Sequence, residues 1–278
     1  MLFGNKKLQI YKQTTIMKKK VLVAMAMIAM LNGAAMAQSS FTLKLGAGIP
    51  TGDFGEAKVV NGNPERWGLF TKDEEGGAGL GFNLGAEWRI PVASINGLGV
   101  VVSVDAFYNG MNEDINDLLD DLIEEADNNN VDATLTKPAY LNFPVMVGGN
   151  YRFEATPGIM FFGTAAVGAN LRIVTPMSLE GEEDYYSDYY NTDVHEEAKV
   201  TISWKSTVSL SYRLAIGILF NEKYSIEMGY YNLGAGKVKA ELEQEIYTSV
   251  NGSSNNSNKT TLKSITPEMF TLRLGISF

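Results

Sequence analysis

Cysteine is absent, and histidine occurs once, at His195. The first absence excludes disulfides, thiolate metal sites, a cysteine nucleophile and a lipid-bearing N-terminal cysteine. Acidic residues are missing before residue 38, where Lys6, Lys7, Lys12, Lys18, Lys19 and Lys20 stand without counter-charges. The whole chain carries a formal charge of −9, and setting those six lysines aside leaves −15 for the remainder. A body that acidic repels nucleic-acid phosphates, which argues against that class of partner. Long apolar runs are scarce too. The run VLVAMAMIAML at 21–31 falls short of the ~20 residues a spanning helix needs.

That short run belongs to an address signal. Met17-Lys18-Lys19-Lys20 is a basic lead-in, 21–31 the apolar core, and Ala35-Met36-Ala37 a small-x-small cleavage site. Residues 17–37 thus read as a signal peptide and 1–16 as an upstream extension, with Met17 an alternative start. The mature chain is expected at 38–278.

Beyond Gln38 the pattern is alternation with a period of two, the mark of strands with two unlike faces. In the last such stretch Phe270, Leu272, Leu274, Ile276 and Phe278 oppose Thr271, Arg273, Gly275 and Ser277. Similar stretches lie near 41–49, 80–90, 100–108, 141–153, 161–173, 208–218 and 224–230. Short turns follow the second, fourth and sixth stretches, at Asn96-Gly97, Thr156-Pro157-Gly158 and Asn221-Glu222-Lys223. Long polar connections follow the odd ones, roughly 50–76, 110–138, 175–198 and 235–264. Short turns at one end and long connections at the other predict an all-β fold. It is an eight-stranded antiparallel transmembrane up-and-down β-barrel with short periplasmic turns and four long external loops.

Charge decides which face looks inward. Lys44, Glu87, Arg89, Asp105, Arg152, Arg172, Arg213, Glu227 and Arg273 all fall on the polar faces, among many glycines. The interior of an eight-stranded barrel is just wide enough to be filled by side chains. A lumen charge network of mixed sign is therefore expected, with the apolar faces toward lipid. Phe41, Trp88, Tyr151, Phe153, Phe220 and Tyr224 are expected as interface aromatics near the short turns. Tyr108, Trp204 and Tyr230 are expected near the long connections.

Four segments carry a resemblance: FTLKLGAGIPTGDF at 41–54, YLNFPVMVGGNYRF at 140–153, GYYNLG at 229–234 and TLRLGISF at 271–278. They resemble the outer-membrane β-barrel domain family of Bacteroidetes, related in design to the small eight-stranded outer-membrane proteins of the A and X type. The resemblance implies the bacterial outer membrane and handling by the barrel-assembly machinery. It also implies an assembly signal at Leu272, Leu274, Ile276 and Phe278. It implies no shared activity and no catalytic residues.

The long connections offer candidate chemistry. Ile115, Leu118, Leu119, Leu122 and Ile123 recur at helical spacing, which predicts an amphipathic helix over 112–127, read as a cap on the barrel rim. Residues 180–197 are rich in acid and tyrosine and read as a solvated acidic tip without an EF-hand pattern. Residues 251–260 are rich in Asn and Ser and read as a mobile loop tip. His195 is a base without a rigid frame, Ser187 and Asp193 being its imaginable partners. The expected function is non-enzymatic: a structural or surface-interaction barrel acting through long acidic loops, without cofactor, metal or catalytic residue. Its expected partners are outer-membrane lipid, lipopolysaccharide and the assembly machinery. A small porin-like channel is the alternative, and an envelope-modifying enzyme resting on His195 the third reading.

Overall fold

The structure, a computed structural model, describes residues 39–56, 76–128, 131–187, 190–250 and 252–278. The signal-peptide and extension readings, and most of the first long connection, lie outside the described residues. In chain order the strands are β1 (Ser40–Thr51), β2 (Ala78–Pro91), β3 (Leu98–Met111), β4 (Asp132–Thr136), β5 (Tyr140–Thr156) and β6 (Ile159–Val174). They continue with β7 (Met177–Ser187), β8 (Thr192–Trp204), β9 (Thr207–Phe220), β10 (Tyr224–Asn232), β11 (Gly236–Thr248), β12 (Gly252–Ile265) and β13 (Glu268–Ser277). One helix, α1 (Glu113–Asn128), lies between β3 and β4.

Eight strands close into an antiparallel barrel in the order β1-β13-β10-β9-β6-β5-β3-β2. They are the eight alternating stretches of the sequence, so the expected fold class holds. Closure joins the first strand to the last: Lys44 stands opposite Gly275 and Leu45 opposite Leu274. Phe278 N–H donates to the Phe41 carbonyl at 2.8 Å, and Phe41 N–H returns the bond at 3.2 Å. The short connections use left-handed backbone where they turn, at Gly97, Gly158 and the Asn221-Glu222 pair. Two successive left-handed residues match the strand twist of a tight hairpin.

The alternation sorts the side chains cleanly. Leu45, Leu80, Leu84, Val147, Leu210, Ile216, Met228 and Leu274 are among the exposed apolar residues on the outside. Lys44, Glu87, Asp105, Arg213, Glu227 and Arg273 are buried inside. Glycine makes this crowding possible where strands meet the arginines. A Cβ at Gly46 would lie 2.8 Å from Arg273 Cγ, and one at Gly85 would run into the Asp105 carboxylate. Any side chain at either position would push the ion pairs apart.

The long connections differ from the sequence expectation. Those at 175–198 and 235–264 are not loops: they form the hairpins β7–β8 and β11–β12. With β4 they build a second sheet, ordered β12-β11-β8-β7-β4, beyond the barrel. The 251–260 tip accordingly pairs with β11, for example Glu243 opposite Ser257. The reason lies in alternating apolar residues that the acids obscure. Leu135 meets Leu179, Leu179 meets Val200, Met177 meets Ile202, and Ile202 meets Leu242. These cross-strand pairs give the sheet an apolar stripe.

The stripe continues into the barrel mouth. Helix α1 starts where Asn112 Oδ1 accepts from Ile115 N–H at 3.0 Å, an N-cap, with Glu113 and Asp114 in the first turn. Its Ile115 and Leu119 are buried in one cluster with Phe54, Phe107, Tyr140, Met146, Tyr231 and Met269. Trp204 and Ala240, from the second sheet, join the same cluster. The expected rim cap is thus an inserted cap. Two members of its predicted apolar stripe, Leu118 and Leu122, have side chains outside the description. Trp204 is a correction: it is 9% exposed and faces this core, not the outer belt. It lies on β8, a strand of the second sheet, where it stands opposite Ala240 of β11 and joins the buried cluster.

Candidate functional site

The lumen is built in three tiers. At the middle tier, three cations and three anions from six strands interlock. Lys44 Nζ lies 2.9 Å from Glu87 and 2.7 Å from Glu227. Arg213 pairs with Glu87 and stands 3.9 Å from Asp105. Arg273 reaches Asp105 at 2.7 Å and also pairs with Glu227. Each anion touches two cations, which offsets the desolvation that burial imposes. Tyr231 sits against this layer. Its hydroxyl accepts from Arg213 at 3.2 Å and donates to Asp105 at 3.3 Å. The Arg213 and Arg273 guanidinium carbons lie 5.8 and 5.2 Å from its ring centre, within cation–π range.

Above the ions, toward the long connections, the filling turns apolar. Phe107 packs edge-on against Tyr231 at 4.8 Å, and Phe54 edge-on against Tyr140 at 5.0 Å. Asn170 donates to Asn142 at 2.9 Å, and Arg172 donates to the Gly234 carbonyl at 2.7 Å. Toward the short turns, Val101, Phe162 and Leu219 are buried. Beside them Arg89 and Arg152 donate to one oxygen, Asn150 Oδ1, at 2.9 and 3.2 Å. The nine charges read from the sequence all point inward. Six meet in the middle tier, Arg172 lies above it, and Arg89 and Arg152 lie below. The sequence reading missed the inward apolar residues Val101, Phe107, Met146, Phe162, Leu219, Tyr231 and Met269.

On the outer surface Phe41, Tyr108, Tyr151, Phe153 and Tyr224 are exposed, and Trp88, Phe220 and Tyr230 are half-buried. Several stack with neighbours: Phe153 on Phe161 at 5.5 Å, and Tyr230 near Phe270 at 5.4 Å. Leu272, Leu274 and Ile276 on β13, and Phe278 just past its end, are exposed in one outward row.

The second sheet carries the surface chemistry. Glu180 faces Lys199, which faces Glu245; Glu182 faces Glu197, which faces Tyr247. Together with Ser253 these residues line a cleft of about 410 Å³ on one face. Lys199 pairs with Glu180, and that contact holds its pKa above the ordinary lysine value. His195 lies on the same face of β8. One imidazole nitrogen is 3.0 Å from Glu197 and the other 2.8 Å from Asp184. The Glu197 and Asp184 carboxylates raise the His195 pKa above its usual value. His195 therefore has a rigid frame, contrary to the loop expectation, because β8 is paired on both sides. Its partners are Asp184 and Glu197, not Ser187 and Asp193. Both ring contacts are carboxylates, so no nucleophile meets its ring among the described residues. The residues around the ring form an acidic face.

No family model and no curated protein matches the chain. Solved structures do. Ail, the attachment invasion locus protein of Yersinia pestis, aligns at 13% identity over 86% of this chain and 97% of its own, with a TM-score of 0.35. A major outer membrane protein from Thermus thermophilus aligns at 11% identity over 86% of this chain and 99% of its own, with a TM-score of 0.42. Neisserial surface protein A aligns at 10% identity over 86% of this chain and 97% of its own, with a TM-score of 0.37. At such scores the likeness carries no argument about function, and the architecture stands on the strand register itself.

Proposed function

We propose that the chain is a non-enzymatic, non-conducting barrel of the bacterial outer membrane that presents an acidic sheet to a partner at the cell surface. One observation carries the reading: apolar side chains are exposed all round the barrel while the ion pairs sit inside. Exposed apolar area on that scale is covered by something in a soluble protein, whereas a barrel in lipid leaves it facing acyl chains. Lipid and lipopolysaccharide are then its wall partners, and the outward row ending in Phe278 is offered to the assembly machinery. The signal peptide at 17–37 supplies the export that this location needs.

The sealed lumen supports a role outside the barrel rather than through it. The apical face carries Glu180, Glu182, Asp184, Glu197, Glu243 and Glu245 against Lys199. Such a surface favours a basic partner, by steering its approach and by pairing across the contact. Refolded mature protein in planar bilayers is expected to give no stable single-channel conductance. Steady unitary currents would overturn the sealed-lumen reading in favour of a small porin-like channel. On gels the unboiled protein is expected to migrate apart from the boiled form. Identical migration, with the protein in the soluble fraction, would overturn the membrane reading.

A further inference from the structure

The charges inside the barrel do not balance at every level. The middle tier is neutral, with Lys44, Arg213 and Arg273 against Glu87, Asp105 and Glu227. Below it, Arg89 and Arg152 bring two positive charges onto the one oxygen of Asn150. Among the described residues no carboxylate lies within ion-pair distance of either. Glu87 and Glu222 act on Arg152 only from farther away, and Glu87 is already held by Lys44 and Arg213. The remaining guanidinium contacts are neutral: Arg89 to the Gly97 carbonyl at 2.9 Å and Arg152 to Ser40 Oγ at 3.4 Å. Arg89 is 8% exposed, whereas Arg152 is half-buried and opens to the short-turn mouth. Two like charges held together in a poorly solvated place repel one another, and an anion relieves that repulsion.

We propose that Arg89 and Arg152 form an anion site at the short-turn mouth of the barrel, and that it takes a phosphate-type oxyanion. Guanidinium groups fit such oxyanions because their planar forks donate two parallel hydrogen bonds. Asn150 is the positioning residue. Its oxygen gathers both arginines, while its amide is fixed by Thr164 Oγ at 2.8 Å. The phosphate has two possible sources: a phospholipid headgroup at the short-turn end of the wall, or a free phosphate in the adjoining solvent. Only the headgroup source rests on the membrane reading above.

The test uses refolded full mature chain in a neutral detergent, with the unfolding midpoint followed by gel mobility. Inorganic phosphate is titrated against chloride at matched ionic strength, and phosphatidylglycerol is doped into the micelles in a separate arm. A saturable rise of roughly 2–4 °C in either arm is expected. It is expected to vanish in Arg152→Gln, whose half-buried site tolerates the change. Asn150→Asp places a carboxylate between the two arginines, and the Thr164 hydroxyl can turn to donate to it. That variant is expected to melt higher than wild type and to ignore phosphate. A response to lipid alone assigns the headgroup as the source, and an equal response to free phosphate assigns the mobile anion. Chloride acting as well as phosphate, or Arg152→Gln responding like wild type, overturns the site. Loss of the heat-dependent gel shift itself would instead strike the barrel reading.

Discussion

Glu227 accepts from Lys44 at 2.7 Å and pairs with Arg273 as well, so its removal takes one of two carboxylate partners from each of two buried cations and leaves the tier with an uncompensated positive charge. Breaking one side of a buried ion network costs about 3–5 kcal/mol, because the surviving charge keeps its desolvation penalty. Glu227→Ala is therefore expected to lose stability on that order in urea unfolding in detergent. A loss below about 1 kcal/mol, the range of exposed pairs, would mean that the middle tier is solvated. Residues of this kind were legible in the sequence, since a charge alternating with Leu or Ile announces its face. The apolar lumen residues were not. Val101 lies inside an unbroken Val run and Tyr231 follows Tyr230, so neither position offers the polar contrast that alternation needs. Their inward direction follows only from the register, in which Tyr231 pairs with Arg213 and Met269.

Among the elements, α1 was readable from the 3.6-residue spacing of its apolar positions. The second sheet was not, because Glu and Asp are poor strand formers and masked the Val, Ile and Leu positions between them. Its stabilising pairs also come from segments far apart in sequence, as Ile202 does with Leu242. Its acids have a consequence. Glu182 stands opposite Glu197 and Glu183 opposite Glu196, like charges facing across β7 and β8. His195, bridging Glu197 and Asp184, supplies positive charge there when protonated. Its pKa is raised in the folded state, so its stabilisation is complete below the ordinary histidine value and fades as pH rises through the raised one. Amide protection of β7–β8 is expected to be greater at about pH 5.5 than at about pH 8.5 after correction for intrinsic exchange. His195→Gln is expected to remove most of that difference, and an unchanged difference would place the titrating group elsewhere. The cap offers a separate test. Leu119 is fully buried, and Leu119→Ala is expected to cost about 2–5 kcal/mol as a cavity in the mouth, measured by urea unfolding. Conductance is expected to stay absent in that variant, because the ionic tier below the cap is untouched. Appearance of current would make α1 the sole seal.

For the molecule as a whole, the closing seam is the feature with the widest reach. Thr42 and Ser277 share a hydrogen bond at 2.9 Å across 235 positions of sequence, and β1 finds its second partner only in β13. Folding rate falls as contacts become more distant along the chain, because loop entropy is lost before the contact rewards it. Until β13 arrives, β1 presents an open row of backbone donors and acceptors, the kind of edge that recruits strands from other molecules. The ring therefore cannot mature progressively from its first strand, as a helical bundle can from its first hairpin. Covering that leading edge until β13 arrives would keep closure ahead of exchange between molecules. A chaperone that released the leading strand early would give intermolecular strand exchange in place of closure.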